Sequence, residues 1–260
     1  MNPIASFKGR VIQPWQQEHF EKTKYGKRIA NYHDRYSGKR CFIVANGPSL
    51  KADDLTLLHE KHEITFAMNR IYKVFDQTPW RPTFYACEDP LIVRGQQEEI
   101  TKLAAQEKFI PIELKWRNEV NIPNACYFHI NYKDSKRFPF SFSTDCAHQI
   151  EGRSTVTFTC MQIAAYMGFS EIYLLGVDHN YRVTIDINGN TIIDPDQKDY
   201  FVDGYDEDVK ESVKHDMGKN TRTYMDAQRY VSSSERTMIY NATRGGKLEV
   251  FPRIDFDSLF

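Results

Sequence analysis

The sequence predicts an α/β protein with a doubly wound, mostly parallel sheet of the Rossmann type. Short, continuously apolar segments alternate with segments whose apolar residues recur at helical spacing. The apolar segments lack the alternation typical of a strand with one solvated face, which indicates a sheet covered by helices on both sides. The chain has 260 residues, 41% of them hydrophobic, so one large domain can form a core without a disulfide or metal.

The chain is expected to divide into a helical lead-in, residues 1–38, and a single α/β domain, residues 39–260. The lead-in is polar and aromatic and ends at Gly38. Residues 182–218 are polar and rich in Asp, Gly and Lys. This segment is too long for an ordinary connection, which predicts a lid over a binding site. The tail, residues 251–260, is expected to pack back onto the domain.

Apolar segments bounded by turn residues predict the strands. In chain order they are Cys41–Ala45, Ile64–Met68, Thr83–Cys87, Phe109–Leu114, Cys126–Ile130, Ile172–Val177 and Met238–Asn241. Pro111 cannot donate a ladder hydrogen bond, so its segment is expected at a sheet edge or in a loop. The main predicted helices are Asp53–Lys61, Gln96–Gln106, Thr155–Met167 and Thr221–Arg236.

Composition narrows the functional classes. The net charge of −1 gives no overall field that would attract a nucleic acid. The five cysteines are odd in number and form no C-x-x-C pair, which predicts reduced, buried thiols in a cytoplasmic protein. The N-terminus lacks the apolar core of a signal peptide, and no run of about 18 apolar residues occurs. A cytoplasmic protein is expected, and the sequence is compatible with contact at the inner face of the membrane and with a homo-oligomer.

Polar residues follow four of the predicted strands. They are Asn46-Gly47-Pro48-Ser49, Asn69-Arg70, Glu88-Asp89-Pro90 and Asp178-His179-Asn180-Tyr181. In open parallel sheets, ligands bind beyond the carboxyl ends of the strands, near the point where strand order reverses. The pattern therefore predicts a binding site at this edge, although turns favour the same residue types.

The turn Asn46–Ser49 suits either a simple Asn-Gly turn or a cradle for a phosphate or sugar. Gly47 lets backbone N–H groups approach a ligand without an intervening Cβ, and Ser49 supplies a hydroxyl. The P-loop pattern GxxxxGK[ST] and the dinucleotide pattern GxGxxG are both absent. Walker-type ATP hydrolysis and NAD binding are therefore disfavoured, and no cofactor is predicted.

The segment Gly152–Thr155 also allows two interpretations, because it precedes a predicted helix. Ser154 or Thr155 can cap that helix. Alternatively, the helix N-terminus faces an anion with Arg153 beside it.

Metal and catalytic patterns are weak. Asp-x-Asp triplets at 194–196, 206–208 and 255–257 lie in the polar segment or the tail, HExxH is absent, and no metal site is predicted. His179 follows a strand and His215 lies in the polar segment, so these two histidines are placed for general-base catalysis. A solvated loop position explains either histidine equally well.

Two blocks in this order resemble the bacterial lipooligosaccharide sialyltransferases. The first is Phe42–Leu50, and the second runs from Arg153 to Asp178. The same blocks occur in a related group of uncharacterised and motility-associated glycosyltransferases that also includes archaeal 6-hydroxymethylpterin diphosphokinases. Closer to this second group are Asn69, Glu88–Pro90, Tyr240–Thr243 and Leu248–Phe251. The resemblance implies a GT-A-like variant of the Rossmann-type fold.

The resemblance further implies a glycosyltransferase that moves a sugar, such as a CMP-linked nonulosonate of the sialic acid type, to a cell-surface or lipid-linked glycan. A CMP leaving group needs no metal, so transfer is expected to be metal-independent. The implied donor contacts are Asn46, Gly47, Pro48, Ser49, Asn69, Asp89, Arg153, Ser154, Thr155, Gly176, Asp178, Asn180, Tyr181 and Lys219. In the sialyltransferases a lid histidine precedes a Lys-Asn-Thr segment. His215 lies just upstream of Lys219–Thr221, which implies that it removes the acceptor proton.

Two alternatives stay open. The second group implies pyrophosphoryl transfer from ATP to a small alcohol such as a pterin. That reaction would need Mg²⁺, held by carboxylates such as Asp89 and Asp178. The other alternative is a protein that binds a nucleotide sugar without catalysing a reaction.

Overall fold

The structure is a computed structural model, and it describes residues 13–132, 142–186, 188–205 and 215–260. The strands are β1 Arg40–Val44, β2 Thr65–Met68, β3 Phe84–Ala86, β4 Glu107–Pro111, β5 Cys126–Phe128, β6 Ile130–Asn131, β7 Ile150–Glu151, β8 Glu171–Leu175, β9 Val183–Ile185, β10 Thr191–Ile193 and β11 Met238–Asn241. The helices are α1 Gln13–Glu18, α2 Lys24–Ala30, α3 Ala52–Glu60, α4 Pro90–Gly95, α5 Gln97–Lys102, α6 Ile112–Trp116, α7 Val156–Tyr166 and α8 Met217–Ser234. Short 3₁₀ turns occur at Phe20–Lys22, Ile71–Val74 and Phe256–Leu259.

The central sheet has seven strands in the order β11-β8-β1-β2-β3-β4-β5, and every pair is parallel. From β1 the chain moves outward through β2, β3, β4 and β5, and then returns to the other side of β1 for β8 and β11. Strand order therefore reverses between β1 and β8. This arrangement confirms the predicted doubly wound, mostly parallel sheet.

Burial explains why these strands read as continuous apolar segments. Every residue of Cys41–Val44 in β1 and Ile172–Leu175 in β8 is buried. Helix α7 contacts β1, β2 and β3, and nearly its whole length is buried. Because α7 crosses the middle of the sheet, even its threonines, Thr157 and Thr159, lie inside the protein.

Several predicted elements differ from the structure. The segment Phe109–Leu114 divides into β4, which ends at Pro111, and α6, which starts at Ile112. The edge position predicted from Pro111 is wrong, because β4 lies between β3 and β5. The missing N–H is tolerated since Pro111 is the last residue of its strand. The helix predicted at Gln96–Gln106 covers only Gln97–Lys102.

Helix α8 begins at Met217 rather than at Thr221. Asp216 is its N-cap, and the Asp216 side chain accepts a hydrogen bond from the Lys219 backbone N–H at 2.8 Å. A capping carboxylate stabilises the first helical turn, which sequence periodicity alone does not reveal because that turn is polar.

The five cysteines are buried and unpaired, as predicted. Burial raises the pKa of the Cys41 thiol and of the Cys160 thiol, so these groups are inert at neutral pH. None of the helices in the described part of the chain combines the length and apolar character needed to cross a bilayer.

The tail packs on the core, as expected. The Phe256 ring is 1% exposed, and it lies 6.1 Å from the Phe42 ring in β1. Arg244 fixes the tail from outside, because its guanidinium pairs with Asp54 at 3.0 Å and with Asp257 at 2.6 Å. The last residues of the chain thereby cover the β1 side of the sheet.

Phe256→Ala is expected to lower the free energy of unfolding by about 3–5 kcal/mol, the usual range for deleting a buried phenyl ring. Phe260→Ala is the matched control, because that ring is 39% exposed and should cost clearly less. Urea unfolding followed by circular dichroism measures both variants. A loss for Phe256→Ala as small as the one expected for the exposed Phe260 would show that the tail is not an integral part of the core.

Candidate functional site

The carboxyl ends of β1 and β8 touch at the point where strand order reverses. The Gly47 N–H donates to the Gly176 carbonyl at 2.9 Å, and Ser49 Oγ donates to Asp178 Oδ2 at 2.8 Å. A Cβ at position 47 would lie 2.0 Å from Asp178 Oδ2, so this contact requires glycine. The turn that contains Pro48 and the end of β8 thus form one unit, where open parallel sheets bind their ligands.

Asn46 lies beside this unit, and only one of the two polar atoms of its side-chain amide has a hydrogen-bond partner in the described residues. Its Nδ2 donates to the Met68 carbonyl, at the end of β2, at 3.1 Å. Its Oδ1 is buried and has no hydrogen-bond partner in the described part of the chain, and the residue is only 7% exposed. An amide oxygen buried without a donor costs free energy. A ligand with an amino or hydroxyl group would remove that cost.

Asp178 is held from several sides. Burial raises the pKa of its carboxyl, and the hydrogen bonds from Ser49 partly oppose this effect. The Lys247 N–H, from the loop after β11, donates to the Asp178 carbonyl at 2.7 Å. The carboxylate therefore has a fixed position at the switch point.

The ends of β2 and β3 carry polar residues that form local hydrogen bonds. Asn69 has a positive φ of 52°, and its carbonyl accepts from the Tyr85 hydroxyl at 2.7 Å. Asp89 is the N-cap of α4, where Oδ1 accepts from the Leu91 N–H at 2.8 Å. Both residues lie at the carboxyl edge, as predicted, and both stabilise the backbone there.

Glu88 also lies at this edge, as the sequence predicts for the polar residues after β3, although the sequence assigned it no role of its own. The residue is partly exposed, and Thr159 Oγ1 donates to its Oε2 at 2.6 Å. Burial of the carboxyl raises the pKa of Glu88 to about 7. The hydrogen bond between Thr159 and Glu88 could not be predicted from the sequence, because Thr159 lies in a mostly apolar helix and nothing in that pattern marks it as a contact.

The start of α7 supports the capping interpretation for one residue. Thr155 is the N-cap and accepts from the Thr157 N–H at 3.3 Å. Ser154 is exposed, and its hydroxyl lies 3.2 Å from that of Thr223 in α8. Arg153 is buried, and its guanidinium pairs with Glu151 at 3.3 Å. The expected cation at this helix N-terminus is therefore turned into the protein.

Residues after β8 meet the start of α8. The His215 ring stacks on the Tyr181 ring, with centroids 3.8 Å apart. Burial lowers the pKa of His215, so the imidazole is neutral near pH 7. Asn180 Nδ2 donates to Gln197 Oε1, which ties the end of β8 to the polar segment. Lys219 lies in the first turn of α8, four residues after His215.

The predicted lid region contains a hairpin formed by β9 and β10. Its later part lies on the sheet edge, because the Phe201 N–H donates to the Asn46 carbonyl at 3.1 Å and the Arg70 N–H donates to the Tyr205 hydroxyl at 3.1 Å. Position 187 and residues 206–214, including the triplet Asp206–Asp208, lie outside the described residues. The described residues of this segment therefore contact the ends of β1 and β2.

The other acidic triplets have structural roles. Asp194 Oδ1 accepts from the Asp196 N–H at 3.2 Å, and Asp255 Oδ1 accepts from the Asp257 N–H at 3.2 Å. Within residues 13–132, 142–186, 188–205 and 215–260, no three His, Cys, Asp or Glu side chains are grouped as a metal site.

The chain is similar to two kinds of protein. Residues 17–184 match a family described as 6-hydroxymethylpterin diphosphokinase MptE-like. The fold resembles the MAf glycosyltransferase from Magnetospirillum magneticum AMB-1, with a TM-score of 0.53 and 17% sequence identity. That similarity covers 94% of this chain and 39% of the other, so the chain spans well under half the length of that enzyme. No curated protein sequence gives a significant match.

Glu88 should make stability pH-dependent. Its pKa of about 7 in the folded state exceeds the ordinary value of 4.5, so the folded state retains the proton longer. The stability from this group is fully present below about pH 4.5 and is lost as pH rises to about 7. Relative to Glu88→Gln, the wild-type protein should therefore lose free energy of unfolding across this window.

Urea unfolding at several pH values measures this difference. Glu98→Gln is the control, because the Glu98 side chain is 73% exposed and the same substitution there should produce no such loss. Parallel stability curves for wild type and Glu88→Gln would contradict the raised pKa.

Proposed function

The chain belongs to the 6-hydroxymethylpterin diphosphokinase MptE-like family, and from this premise we propose that it is a transferase that moves a sugar from a nucleotide donor to a glycan. The bare Asn46 Oδ1 beside the Gly47–Asp178 contact carries the proposal, because it offers a buried acceptor at the switch point. The MAf glycosyltransferase shares the fold, which supports sugar transfer over other group transfers.

In the proposed complex, the nucleotide lies across the ends of β1, β2 and β8. Asn46 Oδ1 accepts from a base amino group or a ribose hydroxyl, and Asp178 accepts from a second hydroxyl. Lys219 and backbone N–H groups stabilise the phosphate, because Arg153 is already paired inside the protein. The lid excludes water while the donor is bound.

The proposed reaction is a displacement at the anomeric carbon of the donor sugar. The acceptor hydroxyl gives its proton to His215 as its oxygen bonds to the anomeric carbon. The bond from that carbon to the phosphate oxygen breaks, and the electron pair leaves with the nucleotide. His215 suits the role of base because burial lowers its pKa and keeps the imidazole neutral.

We propose a CMP-linked nonulosonate such as sialic acid as the donor, on the resemblance of the two sequence blocks. The acceptor we propose is a cell-surface or lipid-linked glycan, met in the cytoplasm at the inner face of the membrane. A CMP leaving group makes metal unnecessary.

Pyrophosphoryl transfer from ATP is the second candidate, favoured by the family description. It needs Mg²⁺, yet the carboxylates expected to hold it are engaged: Asp89 caps α4, and Asp178 binds Ser49. The described residues offer no three-ligand group for a cation. A requirement for Mg²⁺, with ATP consumed and a pterin alcohol modified, would favour this reaction instead.

A nucleotide that binds at Asn46 should raise the melting temperature of the protein, since ligand binding stabilises the native state. CMP, CDP, UDP, GDP and ATP are compared by thermal shift, each with and without Mg²⁺. Asn46→Ala should reduce the shift, whereas Asn121→Ala, at an exposed site, should leave it unchanged. No shift with any nucleotide would contradict the proposed donor site.

His215→Ala should abolish transfer from the activated donor while leaving nucleotide binding nearly intact. In the wild type, turnover should fall as pH drops below the pKa of His215, which lies under its ordinary value of 6.5. Product formation followed by chromatography measures both effects. Unchanged turnover in the variant would exclude His215 as the base.

A further inference from the structure

His179 presents an unusual imidazole at the end of β8. The residue is 5% exposed and has a positive φ of 51°, which is uncommon for residues other than glycine, although histidine adopts it more often than most. Its Nδ1 is buried without a hydrogen-bond partner in the described residues. Strained backbone and unpaired polar atoms both cost stability, and they persist together where a ligand binds.

The hydrogen bonds around His179 determine where its proton lies. The Thr221 hydroxyl donates its single hydrogen to the Met217 carbonyl at 2.8 Å. It therefore accepts from His179 Nε2, which lies 2.9 Å away. The proton is on Nε2, and Nδ1 carries a free lone pair. Burial also lowers the pKa of His179, which keeps the ring in this neutral state.

His179 lines an open groove of about 710 Å³ between α8 and the loop at residues 247–250, which we call the α8 groove. Its apolar walls include Met217, Met225, Leu248 and Val250, and the charged residues Arg229, Lys247 and Glu249 also line it. Gln228 also lines it, and its Oε1 is a second buried acceptor atom without a partner among the described residues. The α8 groove thus combines apolar walls with two unused hydrogen-bond acceptors.

We propose that the α8 groove binds the carbohydrate acceptor of the transfer reaction, with His179 Nδ1 and Gln228 Oε1 accepting hydrogen bonds from its hydroxyl groups. This inference rests on the proposed function. It adds a second subsite, separate from the nucleotide site at Asn46.

The chemistry of the α8 groove selects this ligand class. Both unused atoms are acceptors, so they match a ligand that presents hydrogens, and their lone pairs disfavour direct contact with a phosphate or carboxylate oxygen. Arg229, a cation in the same groove, already pairs with Asp226 at 2.9 Å. The thioether and aliphatic side chains suit the C–H faces of a sugar ring. The position also fits, since His179 directly follows Asp178 and the groove therefore adjoins the proposed donor site.

The experiment is a titration of histidine-¹⁵N-labelled protein with lactose, a neutral polyhydroxylated probe, followed by NMR. His179→Asn identifies the His179 signals, because asparagine tolerates positive φ. Lactose should shift the Nδ1 resonance saturably, as a hydrogen bond to the lone pair forms, whereas inorganic phosphate should not.

The contact of Gln228 is tested by measuring the affinity for lactose. Gln228→Met preserves side-chain length and helix propensity but removes the oxygen, and it should weaken lactose binding by about fivefold, as expected for one hydrogen bond. Trp15→Ala is the control, because Trp15 lines a groove of about 840 Å³ in which no described side chain has a buried unpaired polar atom. It should leave lactose affinity unchanged.

Each outcome separates the two proposals. No saturable shift at His179 with lactose, or a larger shift with phosphate, overturns the acceptor subsite. If nucleotides still stabilise the wild-type protein in a manner that depends on Asn46, the proposed function stands without it. Lactose binding in the absence of any nucleotide effect supports the groove and contradicts the donor site.

Discussion

The contact between Gly47 and the end of β8 is the constraint on which the rest of the site depends. Two strands from opposite halves of the fold end there, and their loops approach so closely that a methyl group at position 47 would overlap Asp178. This approach fixes the Asp178 carboxylate against Ser49 and places Asn46 at the junction. The two polar loops therefore act as one rigid surface, whose geometry comes from sheet topology rather than from flexible side chains.

Much of the fold could be predicted from the sequence, because the signal for a buried parallel sheet is strong. The segments around Cys41 and Ile172 are apolar throughout, and the structure buries them on both faces. Pro111 was misleading because the hydrogen bond that proline cannot donate is lost only at the last residue of β4. The start of α8 was missed because its first turn is polar and is stabilised by the Asp216 side chain.

The site was less predictable, for a physical reason. Strand ends identified Asn46, Gly47 and Asp178, because topology brings such positions to one edge. Contacts between a helix and a strand end left no comparable signal in the sequence. The Thr159 hydroxyl donates to Glu88, yet Thr159 lies in a helix whose apolar sequence gives no indication of a site. Arg153 illustrates the opposite case, a suggestive residue type at a helix start whose charge is neutralised internally by Glu151. Residue type indicates chemistry, but only packing shows where a side chain points.

Asn46 links the predicted lid, residues 182–218, to the ends of the neighbouring strands. Its carbonyl accepts from Phe201 in the lid, while its amide faces the switch point and binds the end of β2. A shift of this residue on one side is therefore transmitted to the other. By thermodynamic reciprocity, any ligand that prefers the covered edge favours a docked lid, and a docked lid strengthens that ligand to the same degree. For the proposed reaction, this reciprocity implies an order of substrate association: the partner that lies beneath the cover enters first and departs last.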